Sequence, residues 1–457
     1  MIPFPETTVR LAVTGLSGAG KTVFITSLVH NLLAAGVDPR ALPLMRLAAR
    51  RQLAAAKVDT RAEPSQRHFP YAELMQSFAA VPPRWPPSTT GTSRIRVAIR
   101  YRPANLAVRR AAGGLATLNL DLIDYPGEWL LDLPMLRQDF AAWSRATLTL
   151  AETPPRAALA AAWRGFLAAH PPDAPADEAT ARTAADLYRD YLLACRGEGL
   201  SLLQPGRLVA PGEHEGAPML SFCPLPVAEG KNGKGPKRGS LHALMAERFD
   251  TYRRHVVERF YREHFRRFDR QVVLVDVLHA LNRGPAAFED ARLALAGVLE
   301  SFRVGKTGWL ASLLGAGRID KVLFVATKAD HVTPRQYANL RQLLEKMTVG
   351  SALDLRFRGA AVSFNIVASV RCTEPGIGTF EGQRVGMLSG IPVGATEPAI
   401  LFPGEVPADV PAPEHWTVAA PDFPVFRPPR LSPTPGTGAP HLGLDEALEF
   451  LIGDKTW

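Results

Sequence analysis

Apolar residues alternate over residues 8–16, where Val9, Leu11 and Val13 fall at every second position before a glycine-rich turn, the signature of a strand. From residue 22 the period changes. Phe24, Ile25, Leu28, Val29, Leu32 and Leu33 recur at helical spacing, with Gly36 and Pro39 as stop signals. The Arg/Ala-rich run LMRLAARRQLAAAKV makes residues 40–80 read as helical, and the prolines of VPPRWPP (81–87) end that pattern. RIRVAIRY (94–101) places Ile95, Val97, Ile99 and Tyr101 on one face and Arg94, Arg96 and Arg100 on the other. Leu118, Leu120 and Leu122 repeat the alternation over 116–129. The link between these two strands is short, and a parallel crossover needs about a dozen residues or more, so the pair is predicted antiparallel.

Further along, residues 150–220 read as Ala/Arg/Leu helix punctuated by prolines, and VAEGKNGKGPKRG (227–239) as a basic loop. Met245, Phe249, Tyr252, Val256 and Phe260 predict one long helix from Leu241 to Phe268. QVVLVDV (271–277), KVLFVAT (321–327) and VSFNIVA (362–368) are continuous apolar runs, as expected of parallel strands buried on both faces. Beyond Pro375, glycine, proline and short apolar runs dominate, with a terminal helix at 444–452. There is no internal repeat.

Composition narrows the class without choosing the function. A hydrophobic share of 46% and a mean hydropathy of −0.02 describe a water-soluble chain. No apolar run approaches the ~18 residues that span a bilayer. MIPFPETTVR lacks the basic-then-apolar order of a signal peptide. A net charge of +9 favours anionic partners, whether nucleotide, membrane surface or nucleic acid. Cys195, Cys223 and Cys372 have neither metal-ligand spacing nor a paired framework, which points to a reducing cytoplasm.

GLSGAGKT (15–22) carries the chemistry. It matches the phosphate-binding P-loop and lies between a strand and a helix, as that motif requires. Gly15, Gly18 and Gly20 free the backbone to turn N–H groups inward, and the helix N-terminus adds its partial positive charge. Ser17, Gly18, Ala19, Gly20, Lys21, Thr22 and Val23 form the predicted phosphate cradle, with Lys21 on the β- and γ-phosphates and the Thr22 hydroxyl on Mg²⁺. Asp124-Tyr125-Pro126-Gly127 ends the second strand of the antiparallel pair. There Asp124 can orient a water on Mg²⁺, and the Gly127 N–H can sense the γ-phosphate.

Thr327-Lys328-Ala329-Asp330 follows a buried strand and is the element that selects guanine. Asp330 would accept two hydrogen bonds from the base, and adenine offers neither donor; the Lys328 stem would cover the ring, with His331 beside it. Ala368-Ser369-Val370 fits a turn whose backbone N–H reaches the guanine carbonyl, or equally a plain strand end. The Gly-Lys-Thr of Val304–Gly308 is rejected, because Glu300 stands where the motif needs glycine.

Taken together, GLSGAGKTVFITSLVHNLL, RWPPSTTGTSRIRVAIRY, LIDYPGEWLLDLPML, VLVDVLHALNRGP and LFVATKADH resemble the YcjX-like family of bacterial P-loop GTPases from Leu11 to about Thr373, with DYPGEWL as the most specific marker. The resemblance implies a Ras/Gα-type core, GTP and GDP binding, Mg²⁺, GTP hydrolysis, a link to envelope or heat stress and a YcjF-like membrane partner. It assigns Trp85 and Thr89 to the first switch, with Thr89 the second hydroxyl on Mg²⁺ and Thr90 and Thr92 as neighbouring alternatives. Glu128 replaces the glutamine of Ras-type enzymes; it can act as general base, slow turnover by repelling the γ-phosphate, or cap the next helix. Catalysis is therefore assigned to Glu128, Lys21 and Thr89, and metal binding to Thr22, Thr89 and, through water, Asp124. Arg84 and Arg94 are candidates for a cis arginine finger.

The predicted fold is α/β: a P-loop NTPase core, mostly parallel with one antiparallel strand pair, carrying a large helical insertion and a C-terminal extension. Its expected parts are 1–145 (with a helical insert at about 40–84), a helical domain at 146–270, a second core segment at 271–375 and a mixed extension at 376–457. Arg253, Arg254, Arg259, Arg262, Arg266 and Arg267 offer a basic face to an anionic membrane or a protein, or only to solvent. No DNA- or RNA-binding module is recognised in the sequence. The expectation is a cytoplasmic GTPase, peripheral at the inner membrane; the alternative is a nucleotide-regulated scaffold with negligible hydrolysis.

Overall fold

The computed structural model describes residues 6–59, 67–87, 89, 91–226, 237–264, 267–301, 319–412, 416, 422–436 and 438–456. Seven strands make the principal sheet: β1 (Thr7–Gly15), β2 (Leu53–Val58), β3 (Ser93–Tyr101), β4 (Ala116–Asp124), β5 (Arg270–Val275), β6 (Lys321–Thr327) and β7 (Ala361–Val367). Their order is β2-β3-β4-β1-β5-β6-β7. The five strands from β4 to β7 in that order run parallel, and β3 runs antiparallel to β4 with Ile95 opposite Leu122, Val97 opposite Leu120 and Ile99 opposite Leu118. This is the α/β, P-loop-type core the sequence predicts. β1 has β4 on one side and β5 on the other, so the loop that leaves it opens at a topological switch point, where ligands bind in such sheets.

Three expectations are corrected. Residues 40–80 are not one helix. A single turn, α2 (Arg46–Ala49), ends at Arg51, whose φ of 53° turns the chain into edge strand β2; a true helix, α3, spans Tyr71–Ala79. The alanines of β2 favour helix, yet pairing with β3 overrides that preference. The long helix runs as Leu241–Tyr252, a π turn at Arg253–Val257 and Glu258–Glu263, and does not reach Phe268. β7 is an edge strand, and most of its residues are half-buried rather than covered on both faces.

The chain divides into two compact units, Met1–Tyr125 with Phe268–Asn282 and Gly317–Trp457, and Pro126–Arg267 with Arg283–Ala316. The second unit therefore begins well before residue 146, and it takes in the helix Pro285–Glu300, which the sequence reading kept in the core. Its interior is aromatic, with Trp143, Trp163, Tyr188, Phe222 and Phe249 buried, and holds a buried Arg156–Asp290 pair at 2.6 Å. Asp290 also accepts the N–H groups of Ser201 and Leu202, so its charge is fully hydrogen-bonded.

Within the first unit, α1 (Lys21–Ala35) packs against β1, β2 and β4, with Phe24, Leu28 and Leu32 in the shared core. The extension beyond Pro375 forms a three-stranded antiparallel sheet from β8 (Glu374–Phe380), β9 (Gln383–Gly390) and β10 (Ala399–Leu401). The helix Leu444–Ile452 then buries Leu444, Leu448 and Leu451 in the same core as β5 and β6. Asp454 clamps its end to Arg270 and Lys321, each at 2.7 Å.

Candidate functional site

The P-loop glycines do what the motif requires. Gly18 and Gly20 hold φ values of 74° and 83°, the left-handed region that L side chains resist. A Cβ on Gly15 would lie 2.6 Å from the Leu274 carbonyl, so close passage of the loop over β5 excludes a side chain. Gly20 offers no side-chain cap to α1, which leaves the first N–H groups of that helix to a ligand. Lys21 is buried and folds across the loop, donating to the carbonyls of Gly15 at 3.0 Å and Leu16 at 3.1 Å.

Beside it three oxygen side chains converge. The hydroxyls of Thr22 and Thr89 are 2.6 Å apart, and both donate to Oδ2 of Asp124, at 3.2 and 2.6 Å. Oδ1 of Asp124 is buried without a partner. Burial raises the Asp124 carboxyl above its ordinary range, against the Thr89 hydrogen bond, the Lys21 charge and the Thr22 hydrogen bond. Two hydroxyls and an under-used carboxylate are hard oxygen donors that fit Mg²⁺, a cation that keeps several waters and relies on substrate phosphates. Among the described residues there is no group of three or more His, Cys, Asp or Glu that could hold a metal ion. Of the three switch threonines, Thr89 reaches Asp124; Thr90 lies outside the described residues.

Tyr125 locks the turn after β4. It is fully buried, and its hydroxyl meets Thr14 Oγ1 at 2.9 Å; Gln271 also donates to that oxygen, at 2.6 Å. Residue type gave no signal for this β1–β4–β5 staple.

After β6, Lys328 is in the left-handed region at φ 58°, and its ammonium donates to Asp276 Oδ2 at 2.5 Å. Asp330 is also buried. Oδ2 accepts the Cys372 N–H at 2.6 Å, and the Asp330 carbonyl accepts the Thr373 hydroxyl at 2.5 Å. Ser369 turns its carbonyl to the Ser27 hydroxyl on α1, and Val370 packs with Met75 and Phe78. Trp85 lies beside that cluster with Val23, its indole edge-on to Phe78 and its N–H donated to the Phe426 carbonyl at 2.9 Å. His331 is buried with its ring edge-on to Phe426 at 5.3 Å, and burial lowers its pKa, so it is held as a neutral packing group.

Gly127 and Glu128 belong to the second unit, where they open the 3₁₀ stretch Gly127–Arg137. Residues 204–210 lie against that stretch. A Cβ on Gly206 would sit 1.9 Å from the Glu128 carbonyl, so the contact exists only for glycine. The Gly206 N–H reaches Asp132 Oδ1 at 2.6 Å, the Trp129 indole reaches the Ala210 carbonyl at 2.7 Å, and the Arg207 guanidinium covers the Trp129 ring. Glu128 is 8% exposed, and its carboxylate has no hydrogen bond or ion pair among the described residues. It does not cap the helix that follows: Phe140–Leu150 is capped by Asp139, which accepts the Ala142 N–H at 2.7 Å.

Of the arginine candidates, Arg94 is ion-paired with Asp121, which Arg96 also holds at 2.6 Å, while Arg84 is exposed. On the basic helix Arg253 and Arg254 pair with Asp250 and Arg259 with Glu263, which removes part of its positive face; Arg266 lies outside the described residues. The Val304–Gly308 segment and most of the 227–239 loop also lie outside them. No helix among the described residues is long and apolar enough to cross a membrane.

The sequence profile described as "YcjX-like family, DUF463" matches residues 9–456. The chain is 41% identical over 450 residues to a protein of Escherichia coli (strain K12) named Ras-like GTPase YcjX, covering 98% of this chain and 95% of that one. It is 38% identical over 460 residues to a Shewanella oneidensis protein of the same name, covering 98% and 94%.

Proposed function

The chain belongs to the YcjX-like family, and on that premise we propose that it is a GTPase, binding GTP and GDP on the 15–22 loop and hydrolysing GTP with Mg²⁺. The observation that carries this reading is the convergence of Thr22, Thr89 and Asp124 beside the P-loop, with one carboxylate oxygen left over. Thr22 and Thr89 would hold the metal directly and Asp124 through water. When bound, Mg²⁺ neutralises charge on the β- and γ-phosphate oxygens. Lys21 leaves the Gly15 and Leu16 carbonyls and takes the phosphates. Asp330 accepts the guanine N–H donors, and the stem of Lys328 covers the ring.

Glu128 is proposed as the group that takes the proton of the attacking water, supported by a buried carboxylate that no described side chain engages. A stress-related switch role and a YcjF-like partner are proposed on the family resemblance alone, and peripheral action at the inner membrane on that resemblance together with the basic charge.

A second reading, a nucleotide-regulated scaffold with negligible hydrolysis, is favoured by one feature: residues 127–132 are held by Gly206, Arg207 and Ala210, whereas a switch must move. Single-turnover hydrolysis of GTP by the purified full chain decides between them. Phosphate release that tracks enzyme concentration and needs Mg²⁺ supports the GTPase; tight GTP binding without release supports the scaffold.

A further inference from the structure

A lysine stem has four rotatable bonds, and one that is to cover a purine must be fixed at its far end. Here that end is fixed. Asp276 directly follows β5, and the β5–β6 register sets Val275 opposite Ala326, bringing Asp276 alongside the Thr327–Asp330 loop. Its Oδ2 accepts from Lys328 Nζ at 2.5 Å, and its Oδ1 accepts the His279 N–H at 3.0 Å, so both oxygens are engaged and the carboxylate cannot turn. The Asp276 side chain is 10% exposed against 34% for Lys328. Burial alone would push this carboxyl up, but the Lys328 ammonium and the two hydrogen bonds hold it below its ordinary range. Lys328 itself sits in the left-handed conformation, unfavourable for a residue with a side chain, and the ion pair helps hold it there.

We infer that Asp276 is a positioning residue for base selection: by anchoring the Lys328 ammonium it lays the lysine stem out as the wall on which the purine stacks. It also keeps that charge away from the phosphates, which are left to Lys21. The inference rests on the guanine reading of Asp330 above.

The test is a double-mutant cycle on the full chain, with GDP and inorganic pyrophosphate as probes. The variants are Asp276→Asn, Asp276→Ser, Lys328→Met and Asp276→Asn with Lys328→Met. Asn and Ser both keep an oxygen for the His279 N–H, so the turn at 277–282 retains its cap. Each Asp276 variant should bind GDP about tenfold more weakly with pyrophosphate affinity unchanged. The double variant should match Lys328→Met alone. An Asp276→Asn loss that persists undiminished in the Lys328→Met background overturns the inference. So does unchanged GDP affinity, or a pyrophosphate affinity that falls in step with GDP. A parent that does not prefer GDP to ADP fails the guanine reading itself, before any variant is made.

Discussion

The Thr89 hydroxyl donates to Oδ2 of Asp124 at 2.6 Å, joining the segment before β3 to the end of β4. This contact places the threonine proposed for the first switch on the carboxylate of the Asp-x-x-Gly turn. Thr89→Ala removes one of the proposed hard donors to the cation, together with its contact to the Thr22 hydroxyl, and leaves the Lys328–Asp330 segment untouched. GTP affinity in Mg²⁺ should fall about tenfold, equivalent to ~1.4 kcal/mol, and GDP affinity much less. Titration of both nucleotides with and without Mg²⁺ checks it; equal losses would mean that Thr89 serves only local structure.

Lys21→Ala should abolish nucleotide binding while the fold persists. The lysine's partners Gly15 and Leu16 offer neutral carbonyls, and losing such bonds costs about 1.5–3 kcal/mol each, whereas a bound nucleotide would set full negative charges against the ammonium. A GDP titration and a thermal melt, run together, separate the two effects. Unchanged GDP affinity would refute the assignment.

Glu128→Gln and Glu128→Ala should change single-turnover hydrolysis by about 10²-fold or more, the usual worth of a positioned proton acceptor, with GTP affinity within a few-fold of the parent. Hydrolysis at the parent rate in both variants would assign Glu128 to packing alone.

Asp132 gives a pH dependence of known sign. Burial pushes its carboxyl up to about 7, against hydrogen bonds from Tyr252 and Gly206. A carboxyl whose folded pKa is raised stabilises the fold when protonated. That contribution is complete below about pH 4 and is lost as pH rises through about 7. Asp132→Asn keeps the shape and cannot ionise, so its melting temperature should exceed the parent's by a margin that grows from pH 4 to pH 7. A constant margin across that range would contradict the shift.

How far the sequence was legible follows from what set each element. β1, the P-loop and α1 were readable because a period-2 run, three glycines and a period-3.6 run are all local signals. β3 and β4 were readable for the same reason. β2 was not: Ala54, Ala55 and Ala56 form a strand because β3 offers an edge, and that information lies in the partner. The helix Pro285–Glu300 follows β5 in sequence yet packs with the second unit, a choice of neighbour that no periodicity records. In the site, Thr22, Asp124, Lys328 and Asp330 announce themselves by motif. Cys372 holds Asp330 through a backbone N–H, which every residue type except proline possesses, so nothing in the sequence could single it out. Asp276 was within reach. It is a lone carboxylate closing an apolar strand, the same pattern that drew attention to Asp124.

The central claim is that this P-loop holds a guanine nucleotide, and Asp330 is where it is most directly tested. Its Oδ2 is fixed by the Cys372 N–H, and the site is predicted to gain about 1.5–3 kcal/mol from each charge-assisted bond to the base. Asp330→Asn exchanges an acceptor for a donor amide, which suits xanthine, whose ring carries a carbonyl where guanine carries an amine. Competition titrations of parent and variant with GDP, xanthosine diphosphate and ADP make the measurement. The parent should prefer GDP, and the variant should lose GDP affinity by at least about tenfold while gaining xanthosine diphosphate. A parent that prefers ADP, or an Asp330→Asn protein that still prefers GDP, would contradict it.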